Sequence, residues 1–312
     1  MIKTIIQTNK YFNEGFWLKA FINNMPNYQK KIFIQFVSNK NEFMENIINF
    51  DVCFTFKLYD ELIAQCDKLK MIYLGISDPD YNFEGLNRND IKLFTSKGLA
   101  RRHIAEYCLA MSLILVKNLY IVETFKSRRK WEQTLFLDYP IKMLSDYFIG
   151  VLGLGVVGNE IVNIFNSNCR VIGCSKTSKP YIKLHRWFSE TEIGEFLKYT
   201  DILIISLPLR SDTFHIINKK QFDIMGKNSF LINISRGNLI NEEDLITALY
   251  GNTIRGAAID VTSEEPLSKN SKLWKTPNLI ITPHIAGNIN LIANEIQEDF
   301  IEKLKINFVE FL

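Results

Sequence analysis

Gly150-Val151-Leu152-Gly153-Leu154-Gly155-Val156-Val157-Gly158 is the stretch whose reading decides the fold of this 312-residue chain. It closes an apolar run that begins at Phe148 and leads into Ile161, Val162, Ile164 and Phe165, apolar residues at helical spacing. A strand therefore turns sharply into a helix, and G-x-G-x-x-G falls on Gly153, Gly155 and Gly158. The first glycine allows the tight turn, the second lets backbone approach a ligand, and the third lets the helix pack close on the strand. With Leu154, Val156 and Val157 between them, the glycines place the first N–H groups of the helix where an anion is held. The pyrophosphate of a dinucleotide is the anion this arrangement suits.

Working outward, strand-like runs recur at 148–152, 170–174, 202–206, 230–234, 256–260 and 279–281, with helical segments between most of them. A similar alternation precedes them: strands are expected at 2–7, 31–37, 51–56, 71–76 and 91–95, helices at 14–24, 41–49 and 59–69, and turns at 77–89. A long helical pattern runs from Arg101 to about Trp131, and another from Asn290 to the end. Alternating strands and helices predict parallel sheets covered on both faces. The expected fold class is α/β: two Rossmann- or flavodoxin-like, doubly wound parallel-sheet domains with a cleft between them. Residues 1–99 plus 288–312 would form a substrate-binding domain and 100–287 the dinucleotide-binding domain.

Composition narrows the partners. Thirty-seven Lys and Arg against 34 Asp and Glu leave a net charge of +3, which gives no reason to invoke nucleic acid. Five cysteines (Cys53, Cys66, Cys108, Cys169, Cys174) form no C-x-x-C pair, so neither a disulfide framework nor a metal site is expected, and free thiols in a reducing cytoplasm are. The apolar N-terminal run is too short for a signal peptide, and charges interrupt every other apolar run before the ~20 residues a membrane span needs. No regulatory domain is expected beyond the last helix.

At the end of the strand after the glycines stand Ser175, Lys176, Thr177, Ser178 and Lys179. NAD users place a carboxylate about 20 residues past the glycines to bond the ribose 2′-hydroxyl. This stretch has none; Ser175 with Lys176 and Lys179 would instead hold a 2′-phosphate, which favours NADP(H) over NAD(H). Other segments also carry polar residues at the carboxyl ends of expected strands, where such sheets bind ligands. They deliver Leu207, Pro208 and Thr213; Ile234, Ser235 and Arg236; Asp260 followed by Glu265 and Pro266; and His284 followed by Ala286 and Gly287.

From Ala105-Glu106 to Gly287, through five ordered motifs, the chain resembles the D-2-hydroxyacid dehydrogenases. The resemblance implies that Arg236 binds a substrate carboxylate and polarises the keto oxygen, His284 gives or takes the proton, and Glu265 hydrogen-bonds the imidazole. It implies that Asp260 bonds the nicotinamide amide. It also implies that Leu74, Gly75 and Ile76 help to bind substrate, and that the helix 101–131 builds a homodimer. Two positions depart from the family pattern: Ser77 stands where a second glycine is common, and Pro79 removes a donor near the usual Asp. Ala100 likewise replaces a frequent Asn.

The compact length and the Ser-Lys-Thr loop look most like glyoxylate/hydroxypyruvate reductases, acting on small 2-keto acids with no metal and no membrane partner. Two alternatives stay open. One is an NAD-linked enzyme for D-lactate or larger 2-hydroxy acids; the other is a non-catalytic dinucleotide sensor resembling transcriptional corepressors.

Overall fold

A computed structural model describes residues 1–57, 63–76, 90–129, 131, 142–177 and 183–308. Ser77 and Pro79, the turn stretch 77–89, Lys179, and the first residues of the helix expected at 59–69 lie outside the described residues. The chain divides into two compact units, Met1–Ala100 with Asn288–Leu312, and Arg101–Gly287.

The first unit carries a parallel sheet of five strands, β1 (Ile2–Gln7), β2 (Ile32–Val37), β3 (Val52–Thr55), β4 (Met71–Leu74) and β5 (Lys92–Thr95), in the order β2-β1-β3-β4-β5. β3 and β4 are buried along their whole length, which explains why they read as continuous apolar runs rather than alternating ones. The helix Glu14–Asn24 starts at Asn13, whose side chain accepts from the Phe16 N–H. The last helix, Ala293–Asn307, belongs to this unit. Its Phe300 ring meets Trp17 edge-on at 5.4 Å, and the Tyr73 hydroxyl donates to its Asp299 at 2.6 Å.

The second unit holds a seven-stranded parallel sheet: β6 (Phe148–Leu152), β7 (Arg170–Ser175), β8 (Arg186–Ser189), β9 (Ile202–Ile205), β10 (Phe230–Asn233), β11 (Gly256–Ile259) and β12 (Leu279–Ile281). The order is β12-β11-β10-β9-β6-β7-β8. The winding reverses at β6, whose neighbours β7 and β9 lead the chain away on opposite sides. That is the switch point at which open α/β sheets bind ligands. Register keeps the carboxyl ends level: Leu152 pairs with Cys174 and Ile205, and Asn233 with Ile205 and Ile259.

Two expectations need correction. β8 was not expected; it is a four-residue edge strand in which only Phe188 is fully buried, too short for a periodic signal. The long helix from Arg101 is not continuous: it ends at Val116, a 3₁₀ turn follows at Leu119–Ile121, and a short helix spans Val122–Arg128. Asn118 causes the break. It sits in the left-handed region at φ 53°, which asparagine tolerates, with its buried side chain accepting from Arg255 at 3.2 Å.

Candidate active site

The glycine loop performs three separate tasks. Gly153 has φ +100°, and a Cβ there would lie 2.3 Å from the Ser206 carbonyl, so the turn excludes any side chain. A Cβ on Gly158 would lie 1.9 Å from the Gly153 carbonyl, so the helix Val156–Phe165 rests directly on the turn. At Gly155 a Cβ would meet nothing within 4 Å. Gly155 is the N-cap residue of that helix and lines a cavity of about 320 Å³ flanked by residues 175–177 and 207–213. Open space at the second glycine, beside the unpaired N–H groups of a helix start, fits a dinucleotide pyrophosphate.

Around this cavity the expected residues are put to unequal use. The Ser175 hydroxyl donates to the Thr177 carbonyl at 2.8 Å and accepts from the Trp187 indole at 3.1 Å, so its one proton is already committed. Lys176 faces the cavity but reaches Asp212 at 3.1 Å and Glu190 at 3.8 Å. The carboxylate missing from the stretch after β7 is thus supplied in space by two other segments. Leu207, Pro208 and Thr213 line the same cavity. Thr213 ties their turn together by donating to Pro208 O and accepting from Arg210 N, both at 2.8 Å. Arg210, which sequence reasoning passed over, pairs with Asp212 at 2.9 and 3.1 Å. Hydrogen bonds from Arg210, then from Lys176, hold the Asp212 carboxyl well below the usual carboxylate range.

On the other side of β9, β10 ends at Asn233, fully buried. Its amide accepts from Ser235 N at 3.1 Å and donates to Arg236 O at 2.8 Å, shaping the turn that presents Arg236. Ser235 donates to Ile205 O at 3.1 Å, and Arg236 Nη1 to Ser235 O at 2.8 Å; Ile234 is buried. Gly237 lets this turn lie against the next loop, since a Cβ would fall 2.0 Å from the Thr262 backbone.

Glu265 and His284 meet. Glu265 Oε2 lies 2.8 Å from His284 Nδ1, and its other oxygen accepts from Thr262 N at 3.2 Å. Both side chains are partly exposed. His284 has φ 54°, a strained value for a non-glycine residue. Asp260 holds it there. Its backbone carbonyl accepts the His284 N–H, and its buried carboxylate accepts from Thr282 Oγ1 at 2.6 Å and from Ile285 N and Ala286 N at 2.8 Å each. A carboxylate only accepts, so Thr282 donates to Asp260 and must accept from the Tyr107 hydroxyl, 2.6 Å away. Burial, aided by the Asp260 charge, pushes the Tyr107 hydroxyl up to about 12. Thr282 and Tyr107 carried no sequence signal beyond helix and strand-end position.

In the first unit, Leu74, Gly75 and Ile76 stand at the carboxyl end of β4. The Gly75 N–H is committed to Thr55 O at 2.9 Å, and the residue is glycine because a Cβ would strike the Phe54 ring at 2.8 Å. Among the described residues no group of three or more His, Cys, Asp or Glu is placed to hold a metal, and no single helix is long and apolar enough to cross a membrane.

A dinucleotide cradle at the switch point, with an arginine turn and a glutamate–histidine pair along the same sheet edge, defines the class: an NAD(P)-dependent oxidoreductase. Residues 109–286 match the family described as D-isomer specific 2-hydroxyacid dehydrogenase, NAD binding domain, and the chain belongs to that family. It is 27% identical over 266 residues to a glyoxylate reductase of Thermococcus litoralis, covering 82% of this chain and 78% of that protein. It is 34% identical over 187 residues to glyoxylate/hydroxypyruvate reductase A of an Enterobacter species; that match spans 60% of this chain and 58% of the relative. The fold is shared with an NADPH-dependent glyoxylate/hydroxypyruvate reductase of Sinorhizobium meliloti solved with NADP and sulfate. That likeness has a TM-score of 0.80 at 22% identity, over 99% of this chain and 95% of the other.

Proposed function

We propose that this protein reduces a small 2-keto acid, glyoxylate or hydroxypyruvate, with NADPH, using Arg236, Glu265 and His284. The observation that carries the reading is the 2.8 Å contact between Glu265 and His284 Nδ1. Glu265 fixes the ring so that Nδ1 is bonded and Nε2 is the atom that exchanges a proton with the substrate oxygen. Arg236 offers a permanently charged planar fork to the substrate carboxylate and draws charge onto the keto oxygen. The nicotinamide, when bound, supplies the hydride. Gly153, Gly155, Gly158 and the neighbouring Leu154, Val156 and Val157 hold its pyrophosphate, with Ala286 and Gly287 closing the nicotinamide end. In this reading residues 1–99 with 288–312 bind substrate and 100–287 bind the dinucleotide. Five free cysteines, four of them buried, support a reducing, cytoplasmic location, and the protein acts as a homodimer.

NADP(H) is supported by Lys176 and Arg210 at the cavity and by the NADP bound to the Sinorhizobium relative. A second reading, NAD(H), rests on Glu190 and Asp212 in the same cavity, because carboxylates bond ribose hydroxyls and repel a 2′-phosphate. The test is a matrix of initial rates with NADPH and NADH against glyoxylate, hydroxypyruvate, pyruvate and a longer 2-keto acid. The reading predicts the highest kcat/KM for NADPH with one of the first two. A clear NADH preference overturns the cofactor assignment, and no turnover with any keto acid overturns the enzyme assignment in favour of a dinucleotide sensor.

A further inference from the structure

We propose that Lys176, Arg210 and Asp212 form an anion subsite in which Asp212 occupies the place of a ribose 2′-phosphate, so that Arg210 and Asp212 set cofactor choice. The proposal rests on the dinucleotide reading of the cavity and deepens it. Lys176 comes from the end of β7 and Arg210 from the loop after β9, and both line the cavity beside the glycine loop. Their charged heads converge on one carboxylate: Lys176 Nζ at 3.1 Å from Oδ2, Arg210 Nε at 2.9 Å from Oδ1, and Arg210 Nη2 at 3.1 Å from Oδ2. An arginine fork and an ammonium gathered on two oxygens is the geometry that also holds a phosphate.

Displacing Asp212 is easy. The side chains of Lys176, Arg210 and Asp212 are 54%, 43% and 50% exposed, and ion pairs that open to water are weak. A phosphate monoester carries about −1.5 to −2 at neutral pH against −1 for a carboxylate, with three acceptor oxygens against two. It therefore wins the two cations, and Asp212 swings out. The carboxylate nevertheless costs affinity, because it competes for the cations and repels the incoming charge. Glu190, 3.8 Å from Lys176, adds to that repulsion from the edge of β8.

Calorimetric titration of the full-length protein with adenosine 2′,5′-bisphosphate and with 5′-AMP separates these roles without any turnover. Asp212→Asn is expected to tighten the bisphosphate about 5-fold, and Arg210→Met to weaken it about 10-fold, with 5′-AMP changed less than about 2-fold in both. Lys176→Met, which leaves the loop 207–213 untouched, is expected to weaken the bisphosphate alone, so a folding defect at Arg210 does not hide the answer. Unchanged or weaker bisphosphate binding in Asp212→Asn overturns the proposal, as does an equal loss of both ligands in Arg210→Met and Lys176→Met. If the wild type prefers 5′-AMP, the NADPH reading fails. A gain for Asp212→Asn would even then show that Asp212 is the residue excluding the phosphate.

Discussion

Replacing Thr282 by valine removes one hydroxyl and almost no volume, and it tests whether the strained backbone at His284 is held by hydrogen bonds. The hydroxyl makes two short bonds, to Asp260 and from Tyr107, both 2.6 Å. A hydrogen bond to a charged group contributes about 1.5–3 kcal/mol and a neutral one about 0.5–1.5. Tyr107 is partly exposed and can turn to water, and Asp260 keeps two backbone donors, so the lower half of the sum applies. The expected loss is about 2 kcal/mol, which for a domain of about 150–250 residues lowers Tm by roughly 4–8 °C. Loosening the segment that carries His284 is also expected to lower kcat about 10-fold, with KM for the cofactor little changed. Thr282→Ser keeps both bonds and should restore both values. Calorimetric melting and initial rates on the three proteins decide the matter. A valine variant with wild-type Tm and wild-type kcat would falsify the clamp.

Other consequences can be measured on the same protein. His284→Ala should lower kcat for keto-acid reduction about 100-fold or more while dinucleotide binding, followed by nucleotide fluorescence, stays close to wild type. Arg236→Lys keeps the charge but loses the fork, so KM for the keto acid should rise and kcat fall; unchanged kinetics would mean that Arg236 never meets substrate. Gly158→Ala places a Cβ 1.9 Å from the Gly153 carbonyl and should cost about 1–3 kcal/mol in stability together with most dinucleotide affinity; a melt and a binding titration check it. The Tyr107 hydroxyl is raised from 10.0 to about 12 in the folded chain, so its contribution to stability is complete below pH 10 and is lost as pH climbs toward 12. Removing the hydroxyl with Tyr107→Phe should flatten that alkaline part of a Tm-against-pH series.

Strands were the most legible part of the sequence. β1, β6 and β12 fall on the expected residues, because each is a short apolar run bounded by turn or polar residues. The Glu265–His284 contact was legible too, since strand-end logic placed both on one edge and the family resemblance paired them. What escaped was tertiary. Lys176 and Arg210 are distant in sequence and both reach Asp212 because β7 and β9 flank β6. The doubly wound order, carried one step further, would have pointed at the Arg210-Ser211-Asp212 loop. The resemblance assigns Asp260 to the nicotinamide amide; the structure adds that its carboxylate takes three donors from its own unit. No periodicity reports such a bond network. The break at Asn118 had a local signal, an asparagine at the end of an apolar helix, which the uninterrupted spacing around it concealed.

Under the proposed function, hydride passes from NADPH to the C2 carbon of a keto acid while His284 donates the proton. Incubating the protein with hydroxypyruvate and NADPH carrying deuterium at both nicotinamide C4 positions, then analysing the product by mass and chiral chromatography, tests it directly. The expected product is the D-hydroxy acid carrying one deuterium at C2, formed at least about 100-fold more slowly by His284→Ala. NADPH consumed without deuterium at C2, or label transfer at full rate in His284→Ala, would contradict it.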